Sequence, residues 1–585
     1  MAEGTIIRAN APKDAATFTL KVNGDAVPGT VKISAITVFV GVGRIGNARI
    51  EIFDGDPAEV DFKASASDHF VPGNELEVMA GYRSDETLIF RGIITSQKLS
   101  IRSPGASLLT VSARHPAFKA TLERRSRVFS DLSDDEAISQ ILSEHEVNVE
   151  ASASGLPTNE RLVQWMSTDW DFALARAEAN GLLLIPTLDG AELKAPAPSG
   201  AAALSLLFGA TILELDAEMD ARTQPAEANG LAWNPASQAA IDSTGSEPNL
   251  PSAGNLDAVA LSDAHAQKLR VAHPGAVPQE ELDAFVAGRL LHRRLARIHG
   301  RARCAGTADP VPGALLELGG LGARFNGTHL ISAVRHVVKR GTWQTDIQFG
   351  LPPKSLLENE EITVMQPPAA GMLPSVQGLA IGVVTAIHED PASEVRVQIS
   401  IPALGEEASP IWARLTKFDA GNGRGSFFYP EVGDEVTVGF LNDDPRHPVV
   451  LGSLYSSSNT PPLTPSEENH EKGYFSREGL KFVFNDEKKS ILLETPNGNL
   501  LELSDDTGGI KLEDENGNKI VMDSSGITVE SATALQLKAA TDAKVEGGAN
   551  VELAASAQLK VAGSGGAELS ASGNVTIKGA MVQIN

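Results

Sequence analysis

The C-terminal part of the chain carries its most regular pattern of apolar and polar positions. From residue 527 onward an apolar residue recurs every eight positions, with a second apolar residue two positions later and a polar residue between them. The first column contains Ile527, Leu535, Ala543, Val551, Leu559, Ala567 and Val575, and the second contains Val529, Leu537, Val545, Leu553, Val561, Leu569 and Ile577. Because this spacing places two side chains on one face of a strand, the repeat predicts a series of short strands in a fibrous β structure.

Each repeat offers only two modest aliphatic side chains, which is too small a core for a lone chain. An eight-residue period fits better if three chains wind around one axis and share each layer, which also removes exposed strand edges. A looser series of apolar pairs, nine or ten residues apart, precedes the octads from about Phe482. We therefore expect residues 475–585 to form a stiff, trimeric, intertwined β-helix, or prism.

The pattern changes at the end of the repeat. Val582 follows Val575 by seven residues, one fewer than the period. We predict that Met581, Val582, Ile584 and Asn585 form a blunt apolar tip that a cap protein covers. The alternative is a frayed end without a partner.

Upstream of the repeat, residues 376–460 contain five short apolar runs that predict strands. These runs cover residues 378–387, 394–401, 411–415, 435–440 and 449–454. Five strands in such a short segment fit a small closed barrel of the OB-fold type.

Residues 1–130 contain β-branched runs bounded by glycine and aspartate, which predict a first β-barrel. Residues 131–190 read as a helical insertion: Ser133 and Glu136 form a capping-box pattern, and a second helix is expected near Asp169.

Residues 191–360 predict a second β-barrel. Within it, the Ala-, Ser-, Asn- and Pro-rich stretch 220–275 reads as a long loop, and the apolar stripe over 278–298 predicts a helix. Arginines 293, 294 and 297 at the end of that helix are explained by the helix dipole, without a nucleic-acid site.

Composition narrows the possible functions. The chain has 585 residues and a net charge of −26, which argues against nucleic-acid binding because that requires a basic surface. No stretch approaches the ~18 apolar residues of a membrane helix, and the first residues lack a signal-peptide pattern. We expect assembly in the cytoplasm. The lone cysteine, Cys304, is expected to be a buried structural side chain.

The sequence contains few residue patterns that could form a catalytic, metal or phosphate-binding site. The Gly-rich stretch 420–425 lacks the Gly-Lys-Ser/Thr ending of a phosphate loop and predicts a tight loop. Asp443, Asp444 and His447 lie beside prolines and favour a turn over a metal site, and residues 388–390 also precede a proline in a loop. We therefore expect no catalytic residue, metal or cofactor.

Several segments carry a family resemblance. Residues 165–172 read WMSTDWDF, 176–181 read RAEANG, 324–329 read RFNGTH, 420–436 read AGNGRGSFFYPEVGDEV and 444–455 read DPRHPVVLGSLY. Together with the repeat, they resemble VgrG-type spike proteins and the phage T4 hub and central spike fused into one chain. The resemblance covers essentially the whole chain.

That resemblance implies a structural, non-enzymatic homotrimer at the tip of a contractile injection system, of the secretion or phage-like extracellular type. In such a system the hub docks on the inner tube protein and baseplate proteins, and the OB-folds form a collar. A PAAR-type tip protein caps the prism, cargo or effectors ride with it, and the assembly crosses a target-cell envelope. The chain departs from some relatives because it shows neither a lysozyme-like domain before the prism nor an effector domain after it.

Two other functions remain open on the residues alone. One is a carbohydrate-degrading or carbohydrate-binding tail protein with a β-repeat stalk, which needs a cleft with paired carboxylates. The outward residues of the repeat, mostly Lys, Gln, Thr and Ala without an aromatic platform, disfavour it. The other is a solitary trimeric adhesin, which would act without a sheath or tube.

Overall fold

The computed structural model describes residues 14–102, 107–152, 155–197, 199–234, 237–273, 277–359, 364–365, 367–405 and 409–584. The chain is mainly β, as predicted, and divides into two units. The first contains Met1–Gly378 and Phe440–Pro445, and the second contains Leu379–Gly439 and Arg446–Asn585.

The first unit is built mostly from strands. They are β1 (Ala16–Val22), β2 (Asp25–Ala26), β3 (Lys32–Gly41), β4 (Arg44–Phe53), β5 (Glu75–Tyr82), β6 (Asp85–Ser100), β7 (Leu108–Arg114), β8 (Arg124–Ser133), β9 (Val149–Ala151), β10 (Thr158–Thr168), β11 (Leu183–Pro186), β12 (Ala191–Lys194), β13 (Leu204–Leu207), β14 (Glu214–Met219), β15 (Ala228–Asn234), β16 (Ala239–Thr244), β17 (Leu269–His273), β18 (Ile298–Ala305), β19 (Leu315–Gly319), β20 (Gly327–Lys339) and β21 (Thr342–Phe349). The helices described in this unit are α1 (Asp134–Ser143), α2 (Asp169–Ala179), α3 (Ala258–Ser262) and α4 (Gln279–Leu295).

One large sheet links two apolar cores in this unit. Its strand order is β14-β18-β21-β20-β3-β4-β7-β6-β5-β1-β2, with β19 attached to β20 and β13 to β19. Alternate residues of β4, such as Ile50 and Ile52, are fully buried in the first core, and Val334 and Ile347 lie in the second. The parts predicted as two barrels are therefore joined by hydrogen bonds between β3 and β20.

The two helices predicted within residues 131–190 are confirmed, although strands β9, β10 and β11 lie in the same segment. The backbone N–H of Ser133 donates to the Glu136 carboxylate at 2.9 Å, which completes the capping box of α1. Thr168 caps α2 by accepting a hydrogen bond from the N–H of Asp171 at 3.1 Å. Gly181 follows α2 with a φ of +67°, a left-handed conformation that favours glycine after a helix.

The long loop predicted over residues 220–275 is wrong. Strands β15, β16 and β17 form a three-stranded sheet there, and this sheet packs against α4. Small residues explain the missed signal: Ala228 and Ala232 are fully buried against Val286. A Cβ atom at Gly230 would lie 2.5 Å from Cγ2 of Val286, so the close packing here requires small residues. Such residues give only a weak alternation of apolar and polar positions in the sequence.

The second unit begins with a barrel. Strands β22 (Ala380–Ala386), β23 (Val397–Ser400), β24 (Ile411–Leu415), β27 (Glu435–Phe440) and β28 (Pro448–Ser453) close it, with a small hairpin of β25 (Ala420–Gly421) and β26 (Arg424–Gly425). The predicted five-stranded OB-type barrel is confirmed. A seven-stranded antiparallel sheet follows, of β29 (Glu471–Phe475), β30 (Lys481–Asn485), β31 (Ser490–Glu494), β32 (Leu500–Ser504), β33 (Gly509–Glu513), β34 (Lys519–Asp523) and β35 (Gly526–Glu530).

Candidate self-assembly surface

The register of the seven-stranded sheet gathers the apolar pairs into two columns on one face. Residues directly opposite each other in an antiparallel ladder share a face. The first column is Phe484, Ile491, Leu503, Ile510, Met522 and Ile527, and the second is Phe482, Leu493, Leu501, Leu512, Ile520 and Val529. The pattern predicted from the sequence thus becomes one continuous apolar face.

This apolar face is open to solvent in the single chain. Leu493 and Leu512 are each 43% exposed, and Ile527 is 69% exposed. The opposite face carries cross-strand ion pairs, of which Lys519 to Glu530 at 2.8 Å is one. The opposite face mixes these charged residues with Val483, Leu492 and Val521, whereas the two columns are apolar without interruption and need a partner.

The octads extend this face without a core of their own. The first octad lies in β35, and after it, within the described residues 531–584, the chain forms no strand, and side chains such as Leu537 (85% exposed) and Val561 (76%) lie in solvent. A lone chain provides neither a neighbouring strand nor an opposite layer. Contiguous apolar exposure of this extent marks an interaction surface.

The predicted tip residues lie at the end of this segment. Met581 is 79% exposed, Val582 50% and Ile584 88%, while Asn585 lies outside the described residues. Their contact with a cap protein stays a prediction.

The other candidate residues have structural roles. Stretch 420–425 forms the small β25–β26 hairpin, where Arg424 pairs with Asp419, so the predicted tight loop is confirmed. Asp390 accepts hydrogen bonds from the side chain of Arg396 and from nearby backbone N–H groups, and these hold the pKa of its carboxyl well below its ordinary value. The described residues contain no group of three or more His, Cys, Asp or Glu side chains able to hold a metal ion.

A buried acid in the first unit was missed by sequence reasoning. Asp169 is almost fully buried and accepts hydrogen bonds from Arg127 (3.0 Å), His145 Nε2 (2.8 Å) and Gln164 (2.8 Å). Burial acts to raise the pKa of Asp169, but the hydrogen bonds and the Arg127 charge outweigh it and lower that pKa. This network joins α2 to β8, β10 and the end of α1.

Two further ion pairs, each with one fully buried partner, position the helices. Arg176 donates to both carboxylate oxygens of Asp134 at 2.6 and 2.9 Å, which ties α2 to α1. Arg294 is 5% exposed and donates to both carboxylate oxygens of Glu247 at 2.8 and 2.9 Å. The helix-dipole explanation for the arginines of α4 is therefore incomplete, since Arg294 has a specific partner.

Cys304 is buried in β18, as predicted. Its Sγ lies 3.7 Å from the carbonyl oxygen of Thr345, and burial raises the pKa of the thiol to about 12. A thiol with this pKa is a poor nucleophile near neutral pH. In the part of the chain that the structure describes, no helix is long and apolar enough to cross a membrane.

Three family models match consecutive parts of the chain. The Alg8 N-terminal domain matches residues 12–340, the type VI secretion system/phage-baseplate injector OB domain matches 380–455, and the phage baseplate V C-terminal trimerisation domain matches 490–585. The last of these covers most of the exposed apolar columns.

Individual relatives match shorter stretches. A segment of 73 residues is 41% identical to actin cross-linking toxin VgrG1 of Vibrio cholerae, covering 12% of this chain and 7% of that protein. A segment of 124 residues is 36% identical to type VI secretion system spike protein VgrG4b of Pseudomonas aeruginosa, covering 20% and 15%. The matched regions thus span less than a sixth of these relatives' lengths. A prophage tail protein from Shewanella oneidensis superimposes with a TM-score of 0.44 at 13% identity, over 58% of this chain and 99% of that one.

The three matched segments follow the order of the fold along the chain: the N-terminal unit with its large sheet, the closed barrel, and the apolar-faced sheet with octads. The chain belongs to the family of the Alg8 N-terminal domain, whose model matches more than half of it, and it combines that domain with a type VI secretion system/phage-baseplate injector OB domain and a phage baseplate V C-terminal trimerisation domain.

Proposed function

We propose that this chain is the structural hub and puncturing spike at the tip of a contractile injection system, and that three copies form the working unit. The exposed pair of apolar columns between residues 482 and 577 carries the proposal. Burying one aliphatic side chain contributes about 1.5 to 3 kcal/mol, so three chains that share each layer gain a core at every repeat. The result is a rod that transmits force along its axis.

We assign the parts of the chain to the parts of this device. Residues 1–130 and 191–360 form the hub barrels, with 131–190 as the helical insertion between them. Residues 376–460 form the OB collar, and 475–585 form the spike. The two linked cores, the closed barrel and the separate matches of the OB-domain and trimerisation-domain models support this division.

The bidentate ion pairs of the first unit suit a part that must resist load. Arg176 with Asp134 and Arg294 with Glu247 each have a geometry fixed by two parallel hydrogen bonds. Removing Arg176 takes this partner from the buried Asp134 carboxylate, which costs about 3 to 5 kcal/mol, whereas Glu247 is 55% exposed and its removal costs less. These pairs hold α1, α2 and α4 in place within the hub.

We propose that the hub binds the inner tube protein and baseplate proteins, and that a PAAR-type protein binds the tip formed by Met581, Val582 and Ile584. Cargo or effectors travel with the spike, and contraction drives it through a target-cell envelope. The chain assembles in the cytoplasm and leaves through the machine. Deletion of residues 579–585 should abolish recruitment of a co-expressed cap protein while leaving the trimer intact, and unchanged recruitment would refute the tip contact.

The mass of the full chain in solution tests the central proposal. Light scattering coupled to gel filtration should give three times the 61.5 kDa of one chain. A stable monomer would refute the shared spike.

A second measurement tests the non-enzymatic role. Incubation of the purified trimer with peptidoglycan or capsule should release no soluble sugar. Sugar release would favour a carbohydrate-degrading tail protein instead.

A further inference from the structure

The first unit contains a cavity where its helices meet its large sheet. The volume of this cavity is about 520 Å³, within the range of roughly 300–1,000 Å³ that is usual for small-molecule sites. Its walls come from the β3–β4 turn, α2, β11, α4, β18, β20, β21 and the segment 350–359 that follows β21. The apolar part of the wall includes Leu174, Leu291, Leu295 and Leu351. The exposed side chains of Arg44 and Lys354 also line the cavity, which therefore reaches the surface.

Backbone contacts hold the walls of the cavity in place. The N–H of Gly43 donates to the carbonyl oxygen of Leu184 at 2.7 Å, which joins the β3–β4 turn to β11. A Cβ atom at Gly288 of α4 would lie 2.7 Å from the backbone nitrogen of Gly181, so α4 packs directly against the end of α2. Because these contacts lie within the protein itself, the cavity is formed before any ligand binds.

One acidic side chain lines the cavity without a cationic partner. Glu178, near the end of α2, is partly buried and forms no ion pair within the described part of the chain. Its Oε2 accepts a hydrogen bond from the backbone N–H of Leu356 at 2.9 Å, and burial raises the pKa of its carboxyl. Buried charges in proteins are normally paired, because an unpaired carboxylate in apolar surroundings is costly. A cation that entered the cavity would supply the missing partner.

The nearest arginines of α4 already have a partner. Arg289 and Arg293 both pair with Glu358, and Arg293 Nη2 lies 2.8 Å from its carboxylate. The charge of Arg289 lowers the pKa of Glu178, but the effect of burial is larger. The carboxylate of Glu178 therefore remains available to a cation from outside the chain.

A neutral histidine lies close to this acid. A Cβ atom at Gly288 would be 3.1 Å from the carbonyl oxygen of Glu178, and His292 lies one turn further along the same face of α4. His292 lines the cavity and forms no hydrogen bond among the residues that the structure describes. Burial and the neighbouring arginine charges lower the pKa of His292 to about 4. Its neutral ring can therefore accept a hydrogen bond from an ammonium group near pH 7.

We propose that this cavity binds a small molecule that carries a protonated amine on an apolar chain. The ammonium group pairs with Glu178 and donates to His292, and the apolar chain lies against the leucines. The rim cations Arg44 and Lys354 oppose this only weakly, because water and salt screen charges at the surface. The site lies within the first unit and does not depend on the proposed trimer.

Isothermal titration calorimetry of the full chain with n-octylamine tests the site. We expect one octylamine per chain, bound at least about tenfold more tightly than octanoate or 1-octanol at the same pH. The affinity should rise about fourfold for each methylene from butylamine to octylamine, because each added methylene is buried in the cavity. Octanoate that binds as tightly as octylamine would overturn the inference.

A matched pair of variants identifies the acid. Glu178→Gln removes the charge and keeps an oxygen that can accept from Leu356, so octylamine affinity should fall at least about tenfold while octanol binding stays the same. Glu192→Gln is the control, since Glu192 is also partly buried, in β12, and pairs with Lys194 outside the cavity. Equal octylamine binding by both variants would overturn the inference and indicate that alkyl chains bind to the exposed apolar columns instead. The comparison of octylamine with octanoate needs no variant, so it decides the matter even if Glu178→Gln does not fold.

Discussion

Replacing Leu559 by aspartate tests which face of the octads lies inside the spike. Leu559 belongs to the first apolar column, and the neighbouring Lys560 occupies the polar position between the columns. In a strand these two side chains point to opposite faces. Lys560→Asp is therefore a matched control, and it changes the charge by more than Leu559→Asp does.

The magnitude follows from the exposure of Leu559 in the single chain. It is 58% exposed, so assembly can still bury rather more than half of the side chain. With about 1.5 to 3 kcal/mol for full burial, the loss is about 1 to 2 kcal/mol per copy and about 3 to 5 kcal/mol per trimer. The trimer dissociation constant should rise by about two to four orders of magnitude, and crowding three carboxylates into one layer adds to this.

The assay measures the mass of full-length protein by analytical ultracentrifugation over a dilution series, and the temperature at which detergent separates the trimer. Leu559→Asp should dissociate at higher concentrations and lower temperatures than the unmodified chain. Lys560→Asp should dissociate at the same concentrations and temperatures as the unmodified chain. If both variants weaken the trimer equally, the assignment of inner and outer faces is refuted.

Three further predictions concern the first unit. Burial lowers the pKa of His336 from 6.5 to about 4, so between these pH values the unfolded chain binds a proton that the folded chain does not. The free energy of unfolding should therefore fall as the pH drops from about 6.5 to about 4. Thermal melts of His336→Gln over this pH range should show a smaller fall. Asp169→Asn should cost about 3 to 5 kcal/mol in a denaturant melt because it removes the buried carboxylate that accepts hydrogen bonds from Arg127, His145 and Gln164. Asp171→Asn, at the half-buried start of the same helix, should cost less than about 1 kcal/mol, and similar losses would contradict the role of the buried network. Cys304 should react with a maleimide only after unfolding in urea, and rapid labelling of the native protein would contradict its burial.

Much of the second unit could be predicted because its signals are local. The strands expected over 411–415 and 435–440 have those limits in the structure, since each is a short apolar run between turn residues. The apolar columns were visible as spacings of two, eight and ten residues. In the first unit, the capping box at Ser133 was equally local and marked the start of α1.

The parts that could not be predicted depend on residues far apart in sequence. The sequences of β3 and β20 do not reveal that the two strands pair, because every strand presents the same backbone N–H and C=O groups to its neighbour. Asp169 looks like a helix-start residue until Arg127, His145 and Gln164 are seen around it. The sequence predicts a loop where β15, β16 and β17 form a sheet, because the alanine and glycine residues that pack under α4 give almost no periodic pattern.

The octads have no core in one chain, whereas the first unit contains its own, and this difference dictates an order of folding. Three separate octad segments would have to meet at once, which is slow and leaves their apolar side chains exposed until they associate. Folded N-terminal parts that have already associated hold the three ribbons at a high effective concentration, so winding becomes an intramolecular process. Because synthesis starts at the N-terminus, we expect the first unit to fold before the octads are complete, which shortens the time for which their apolar side chains lack a partner.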